Sequence, residues 1–200
     1  MRQNERMPTL VVFDAMGVLY SAGDDVADVL IPYLDSLGTP RTRAEIADLY
    51  RRASEGNLTS TEFWTACEVP GDDDTYCARH RLVPGIVPLL DDLRHRGTPL
   101  ACLSNDVSEW SAILRRQFGL DRRIGTWVIS GDIGVRKPVP EAFAALADAA
   151  GVPLEQAVFF DDRPDNVAAA QSLGMDAIRF TNVPAARAAL QNRGLLRLCP

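Results

Sequence analysis

The stretch VVFDAMGVLY, residues 11–20, places an aspartate directly after a short apolar run. The run extends from Thr9 to Phe13, and its β-branched and apolar residues predict a buried strand. Asp14 therefore lies at the carboxyl end of this first strand, and Gly17 follows three residues later. In an open parallel sheet, ligands bind beyond the carboxyl ends of the strands. The stretch thus predicts a sheet with a binding site near Asp14.

Four further apolar runs continue this pattern along the chain. They are Pro99–Leu103, Thr126–Ser130, Ala157–Phe160 and Ala177–Phe180. Helix-length segments alternate with the runs, at 86–96, 107–118, 140–150, 164–173 and 184–193. Strands that alternate with helices at this spacing are typical of an α/β fold with a doubly wound parallel sheet.

The segment 21–84 interrupts the alternation. It predicts helices only, at 24–37, 42–54, 60–67 and 73–80, and Thr59 with Glu62 forms a capping-box pattern at the start of the third helix. We therefore expect residues 1–20 and 85–200 to form an α/β core, with residues 21–84 as an inserted all-helical unit.

Charge and hydropathy exclude two classes of function. The 200 residues carry a net charge of −6 and contain no run of Lys or Arg, whereas nucleic-acid binding requires clustered basic residues. No apolar run reaches the roughly 18–20 residues that span a bilayer. We expect neither a nucleic-acid nor a membrane partner, and the sequence indicates no oligomeric state.

The four cysteines, Cys67, Cys77, Cys102 and Cys199, form no C-x-x-C pair and have no zinc-ligand spacing with the two histidines. A disulfide framework or a structural zinc site is therefore not expected. The first ten residues contain no apolar segment typical of a signal peptide. Together these features predict a cytoplasmic location.

Lys137 is the only lysine among 21 basic residues. A coding bias toward arginine would retain lysine only where a compact ammonium is needed and a planar guanidinium does not fit. Chance survival of one lysine is the alternative explanation. The count makes Lys137 a candidate functional residue.

Polar side chains follow the other predicted strands as Asp14 follows the first. They are Ser104 and Asn105 after the second strand, Lys137 after the third, and Asp161 and Asp162 after the fourth. Each alone is commonly a helix cap or a turn residue. Their convergence at one edge of the sheet, with complementary chemistry, favours a catalytic site.

With these motifs in place, the sequence resembles the haloacid dehalogenase-like (HAD) superfamily. Four segments carry the resemblance in the family's order: VVFDAMGVLY (11–20), LACLSNDVSEW (100–110), GVRKPVPEAF (134–143) and VFFDDRPDNVAAAQSLGM (158–175). The resemblance implies a Rossmann-like core. It also implies that the helical insertion is a type 1 cap, which closes over the site.

The resemblance further implies a catalytic nucleophile and a Mg²⁺ ion. Asp14 is the expected nucleophile, which attacks phosphorus to form an aspartyl-phosphate. The expected Mg²⁺ ligands are the Asp14 carboxylate, the Met16 main-chain carbonyl and Asp162. Asp161 is either a further ligand or holds a metal-bound water.

The substrate is expected to be a small phosphorylated molecule. Ser104 would donate its hydroxyl to a phosphate oxygen, and Asn105 would add a main-chain or side-chain contact. Lys137 would offset the charge of Asp14 and of the phosphoryl group. The leading hypothesis is therefore a Mg²⁺-dependent phosphomonoester hydrolase.

Met16 departs from the family pattern, since phosphatases of the family usually have a second aspartate there as general acid and base. A proton-transfer residue contributes about 10²–10⁴-fold to the rate. Asp24, Asp25 and Tyr20 lie near the predicted hinge of the cap, and we interpret them as solvated residues at the start of a helix.

Two alternatives therefore stay open. A 2-haloacid dehalogenase needs no proton for its leaving group, but Asp161 and Asp162 would repel the carboxylate of its substrate. A non-catalytic HAD-like binding protein would explain Met16 but does not need the nucleophile Asp14.

Overall fold

A computed structural model describes residues 10–197 of the chain. Its strands are β1 (Leu10–Phe13), β2 (Leu100–Ser104), β3 (Thr126–Ile129), β4 (Ala157–Asp161) and β5 (Asp176–Arg179). They form one parallel sheet in the order β3-β2-β1-β4-β5. This sheet confirms the predicted doubly wound, Rossmann-like α/β fold. Since the winding reverses at β1, the carboxyl end of β1 is the point at which such sheets bind ligands.

The helices flank this sheet or form the insertion before β2. In the described residues they are α1 (Ile31–Leu37), α2 (Arg43–Ala53), α3 (Ser60–Ala66), α4 (Asp73–Cys77), α5 (Ile86–His95), α6 (Ser108–Gln117), α7 (Ser130–Ile133), α8 (Pro140–Ala150), α9 (Pro164–Ser172) and α10 (Val183–Asn192). The sequence pattern did not predict the short helix α7. Within residues 10–197, no helix combines the length and the apolar character required for a membrane span.

Successive side chains of β1 point alternately into two hydrophobic clusters, one on each face of the sheet. Val11 and Phe13 point to one face of the sheet, and Leu10 and Val12 point to the other. The first face packs against α5, α6 and α10, and the second packs against α8 and α9. Helices thus cover both faces, as the fully buried pattern of β1 requires.

The inserted helices α1–α4 belong to the first of these clusters. The ring of Trp110 on α6 lies 4.6 Å from that of Tyr76 on α4 and 5.3 Å from that of Phe63 on α3. Asp73 Oδ1 accepts hydrogen bonds from the indole N–H groups of both Trp64 and Trp110, each at 2.7 Å. A buried aromatic cluster therefore attaches the insertion to the core.

Two of the predicted helices differ from those observed. The helix predicted over 24–37 starts with a wider π-helical turn, Val26–Leu30, because Pro32 has no N–H group to continue the regular ladder. The helix predicted over 73–80 ends at Cys77, whose carbonyl oxygen accepts the main-chain N–H of His80 at 3.1 Å. The predicted capping box of Thr59 and Glu62 is present.

Candidate active site

Three acidic or hydroxyl side chains meet where β1, β2 and β4 end. Asp14 directly follows β1, whereas Ser104 and Asp161 are the last residues of β2 and β4. The Asp14 main-chain N–H donates to the Phe160 carbonyl at 2.8 Å, which extends the pairing of β1 with β4 by one residue. The parallel sheet thus brings together groups that lie far apart in the sequence.

Lys137 lies at the centre of this group. Its Nζ is 2.7 Å from Asp14 Oδ1 and 2.7 Å from Asp161 Oδ2, and only 4% of the residue is exposed. Burial lowers the pKa of this amine, but Asp14 and Asp161 outweigh burial and hold the pKa above its ordinary value. Lys137 is therefore a charged ammonium between two carboxylates.

Asn105 fixes the main chain at Lys137. The Lys137 N–H donates to Asn105 Oδ1 at 2.8 Å, and Asn105 Nδ2 donates to the Lys137 carbonyl at 2.9 Å. Both ends of the amide thus bind the main chain of Lys137, and the second Nδ2 hydrogen and the Asn105 main-chain N–H are the donors that no described residue uses. Its side chain positions Lys137.

Asp161 is held by several donors. It accepts the Arg163 main-chain N–H at 2.8 Å and the amide of buried Asn166 at 3.0 and 3.1 Å, in addition to Lys137. Such a set of bonds fixes the carboxylate plane and satisfies much of its hydrogen-bonding capacity. Asp161 is therefore better suited to orient neighbouring groups than to act as a flexible ligand.

Asp162 differs from Asp161 because its Oδ1 is buried and has no hydrogen-bond partner among residues 10–197. Burial, and next the charge of Asp161, raise the pKa of Asp162. Gly17, at φ +76°, lets Asp162 approach the loop after β1, because a Cβ at Gly17 would lie 2.4 Å from Asp162 Oδ2. An unpartnered carboxylate oxygen at this position is available to a cation.

The acidic cluster fits the Mg²⁺ ion that the sequence predicts. Oxygens of Asp14, Asp161 and Asp162 all lie within 4.8 Å of one another. Three carboxylates share the single ammonium of Lys137, so the cluster lacks two positive charges when it is fully ionised. Carboxylate oxygens are the ligands that Mg²⁺ prefers, and a divalent ion would balance the charge.

Asp14, the expected nucleophile, and Ser104, the expected phosphate contact, are both buried. Burial raises the pKa of Asp14 to about 7, and Asp161 adds to this rise while Lys137 opposes it. Ser104 is 1% exposed, and its Oγ has no hydrogen-bond partner within the described part of the chain. A hydroxyl without a partner beside a buried carboxylate can donate to a bound oxyanion.

A cleft of about 460 Å³ opens above these residues. Asp14, Ser104 and Lys137 line its floor, and Tyr50 and Arg51 of α2 contribute to its wall. Met16 also lines the cleft, yet it is 8% exposed and belongs to the hydrophobic cluster of the first sheet face.

The interpretation of Asp25 and Tyr20 as solvated residues is wrong. Tyr20 is 1% exposed, and Asp25, which also lines the cleft, is 4% exposed. The Tyr76 hydroxyl donates to Asp25 at 2.6 Å, and His80 Nε2 lies 2.7 Å from the other oxygen of Asp25. Burial lowers the pKa of His80, but the contact with Asp25 outweighs it and raises the pKa. Tyr76 and His80 are four positions apart in a segment that the sequence predicts as a helix, and this spacing is the only sequence signal of a shared partner.

Asp106 is a further buried acid that the sequence reasoning missed. Its Oδ1 accepts the Val107 N–H at 2.7 Å, whereas its Oδ2 has no partner within residues 10–197. Burial, and next the charge of Asp25, raise the pKa of Asp106 to about 8. The side chain is therefore mostly protonated at pH 7.

Comparison with known proteins identifies the family. The profile of the haloacid dehalogenase-like hydrolases matches residues 8–174, which is most of the chain. The chain belongs to this family. The resemblance in the four motifs is therefore confirmed, and the protein is a HAD-like hydrolase.

Two relatives with named activities are similar to this HAD-like hydrolase. The phosphoglycolate phosphatase of Pseudomonas syringae pv. tomato is 29% identical over 88% of this chain and 70% of its own length. The glyceraldehyde 3-phosphate phosphatase of Methanopyrus kandleri is 33% identical over 58% of this chain and 50% of its own length.

A solved structure shows the same fold in another HAD family enzyme. The enzyme from Bacteroides thetaiotaomicron, in complex with magnesium and inorganic phosphate, superposes with a TM-score of 0.73. It is 19% identical, and the match covers 88% of this chain and 95% of that one. At this low sequence identity, the structural similarity shows a shared fold and nothing further.

Proposed function

We propose that this HAD-like hydrolase is a Mg²⁺-dependent phosphomonoester hydrolase that acts on a small phosphorylated molecule. The observation that carries the proposal is the buried cluster of Asp14, Asp161 and Asp162 around Lys137, next to the unpartnered Ser104 hydroxyl. The named activities of the two relatives, both phosphatases of small molecules, agree with it.

The reaction starts at Asp14. Its carboxylate attacks phosphorus, the bond from phosphorus to the ester oxygen breaks, and an aspartyl-phosphate forms on Asp14. Water then attacks the same phosphorus, which releases inorganic phosphate and restores the carboxylate. Lys137 and the Ala15 N–H, each 2.7 Å from Asp14 Oδ1, hold the carboxylate in one orientation through both steps.

Charge is the main obstacle, since a carboxylate must approach a phosphate dianion. Lys137 offsets part of this charge, and the Ser104 hydroxyl donates to a phosphate oxygen. Asp14, Asp162 and the Met16 carbonyl would hold Mg²⁺, which supplies the remaining positive charge at the phosphoryl oxygens when it is bound. Asp161 keeps Lys137 in place and orients the groups around the ion.

Met16 offers no proton to the leaving group. The proposed enzyme should therefore favour phosphorylated molecules whose leaving oxygen needs little protonation, such as acyl or anomeric phosphates. The alternative of a 2-haloacid dehalogenase also tolerates Met16, but the unpartnered Asp162 oxygen would repel a haloacid carboxylate. The carboxylate cluster thus favours phosphate chemistry.

We also propose that residues 21–84 act as the cap that closes over this cleft, as residues Tyr50 and Arg51 in its wall suggest. A closed chamber admits small molecules and excludes water. For the compartment we propose the cytoplasm, because Cys67, Cys77 and Cys102 are buried free thiols.

The test is phosphate release from a panel of small phosphate esters, with Mg²⁺ and with EDTA. Wild-type protein should release phosphate only with Mg²⁺, and Asp14→Asn should abolish release because a carboxamide is a poor nucleophile. Asp35→Asn, an exposed position on α1, is the matched control and should keep full activity.

Wild-type rates in Asp14→Asn would refute the proposed nucleophile. Halide release from 2-haloacids that persists in EDTA would establish the dehalogenase alternative. Binding of phosphate esters without turnover of any of them would favour the non-catalytic alternative.

A further inference from the structure

Lys137 lies on an irregular segment of the chain. This segment, residues 134–139, connects α7 to α8 and contains neither helix nor strand. The hydrogen-bond ladder of a helix or a strand therefore does not fix Lys137 where its Nζ meets Asp14 and Asp161. The side chain of Asn105 binds both main-chain groups of Lys137 instead. The position of Lys137 thus depends on what holds Asn105 and the rest of the segment.

The inserted helix α2 contacts both Asn105 and the residue before Lys137. Tyr50, which is 6% exposed, donates its hydroxyl to the Asn105 main-chain carbonyl at 3.2 Å. The guanidinium carbon of Arg136 lies 5.6 Å from the centre of the same tyrosine ring. One side chain of the insertion therefore contacts the core on both sides of the lysine.

The turn after α2 packs against the same part of the core. Ser54 is fully buried, and its hydroxyl accepts Arg136 Nη1 while its carbonyl accepts the hydroxyl of Ser130. Gly56, at φ +74°, comes so close that a Cβ there would lie 2.5 Å from the Gly131 carbonyl oxygen. The main chain of the insertion thus packs directly on α7, the helix that leads into segment 134–139.

These contacts differ from those that attach α3 and α4. The aromatic cluster there packs on Trp110, a side chain of the regular helix α6. Tyr50 and Ser54 instead make polar contacts with irregular main chain and with Arg136, next to the proposed catalytic lysine. Attachment of the insertion alone does not require polar contacts at this place.

We propose that Tyr50 is a positioning residue for the reaction. Together with the turn after α2, it holds Asn105 and Arg136 and, through them, Lys137. The site is therefore complete only while α2 packs on the core. The effect on rate rests on the proposed phosphatase function, whereas the position of Lys137 can be measured without any turnover.

A small movement of Lys137 is enough to change the site. Its Nζ lies 2.7 Å from Asp14 Oδ1 and 2.7 Å from Asp161 Oδ2. A shift of about 1 Å would take these contacts beyond hydrogen-bond range. Misplacement of that size at a catalytic group can lower a rate up to about 10²-fold.

The first pair of test variants compares two buried tyrosines of the insertion. Tyr50→Phe removes the hydroxyl that binds Asn105. Tyr33→Phe, the matched control, removes a hydroxyl that contacts the main-chain N–H and carbonyl of Asp72 at 3.2 and 3.5 Å, within the insertion itself. Both changes remove one hydroxyl, but only the first acts on the core.

The second pair compares two glycines with nearly the same backbone conformation. Gly56→Ala places a methyl group against the Gly131 carbonyl, whereas Gly38→Ala, at φ +78°, meets no described atom within 4 Å. Both changes strain a left-handed residue of the insertion. The contact with the core is what distinguishes them.

The single lysine of the sequence makes its position directly measurable. Protein labelled with ¹³C at lysine Cε gives one side-chain NMR signal, since Lys137 is the only lysine. The chemical shift is sensitive to the Phe159 ring, whose centre lies 5.3 Å from Nζ. The second readout is kcat/KM for phosphate release from acetyl phosphate with Mg²⁺, and thermal unfolding measures the stability of each variant.

Tyr50→Phe should shift the lysine signal and lower kcat/KM about 3- to 10-fold, the usual effect of one neutral hydrogen bond. Gly56→Ala should shift the signal further and lower kcat/KM more. Tyr33→Phe and Gly38→Ala should keep the wild-type signal and the wild-type kcat/KM, even where they lower the unfolding temperature equally.

An unchanged signal in Tyr50→Phe would overturn the role of Tyr50, and an unchanged signal in Gly56→Ala would overturn that of the turn. Equal shifts in the control variants would overturn both, because they would reflect a loss of stability. A shifted signal with wild-type kcat/KM would overturn the role in the reaction. If wild-type protein releases no phosphate from any substrate, the proposed function fails separately, and the signal still tests whether Tyr50 positions Lys137.

Discussion

Replacing Asp106 by asparagine should make the protein less sensitive to alkaline pH. Asp106 is 1% exposed, and its pKa rises from the ordinary 3.8 to about 8, first because of burial and next because of the charge of Asp25. The Val107 N–H and the charges of His80 and Arg136 oppose this rise. Asparagine keeps the shape and can still accept the Val107 N–H, but it cannot ionise.

The sign and the size of the change in unfolding free energy with pH follow from proton linkage. A pKa that is higher in the folded state means that folding retains a proton, so stability falls as the pH rises from 3.8 to about 8. Between pH 5 and pH 8 the unfolded carboxyl is already ionised while the folded one is still protonated. Three pH units at about 1.4 kcal/mol each give about 4 kcal/mol of lost unfolding free energy from this one group.

The assay is equilibrium unfolding in urea at pH 5, 6, 7, 8 and 9, for wild type and Asp106→Asn. The difference between the two free energies of unfolding reports Asp106 together with the effect of its charge on neighbours such as His80, because groups that do not interact with Asp106 titrate alike in both proteins. We expect asparagine to gain about 4 kcal/mol relative to wild type between pH 5 and pH 8. The exposed control Asp35→Asn should show no such trend, and a difference for Asp106→Asn that is constant with pH would refute the reasoning.

The other predictions concern the proposed site and are measured by phosphate release. Lys137→Arg should lower kcat/KM strongly, because Nζ contacts two carboxylates and a larger planar group would displace the phosphate or the metal. Wild-type activity in this variant would mean that the single lysine of the sequence survived by chance. Asp162→Ala should raise the Mg²⁺ concentration needed for half-maximal activity much more than Asp161→Ala; an equal effect would contradict the assignment of Asp162 as the metal ligand. Met16→Asp should raise the rate for alkyl phosphates by up to about 10²-fold, and much less for acyl phosphates; a folded variant with no gain on any alkyl phosphate would contradict the missing general acid.

The sheet was predictable because each strand has a local signature. Leu10–Phe13 is an apolar run buried on both faces, as are the four residues before Asp161 in Ala157–Asp161, and the helices between strands have clear boundaries. The site at the strand ends was predictable for the same reason. In a parallel sheet the strand order brings Asp14 and Asp161 together without any information about side-chain contacts.

The environment of the cleft wall was not predictable in this way. Asp25 contacts His80 across 55 positions, and Arg136 contacts Ser54 across 82. Such pairs depend on how the inserted helices pack on the core, and no periodicity within either segment encodes that arrangement. An aspartate before a helix usually caps it in solvent, and only tertiary packing buries Asp25 instead.

The position of the single lysine illustrates how composition and geometry can support each other. Lys137 Nζ lies 2.7 Å from each of two carboxylate oxygens in a setting with almost no exposure, where three donors on one small centre can reach both. Arg136, the next residue, lies at the edge of the same cleft with a planar group over an aromatic ring. Two adjacent cations thus occupy environments that suit one side chain each, a compact ammonium on the floor and a guanidinium on the wall. Exchanging either cation for the other should therefore damage its site more than the conserved charge suggests, because a guanidinium does not fit between Asp14 and Asp161 and an ammonium has no planar face for the Tyr50 ring.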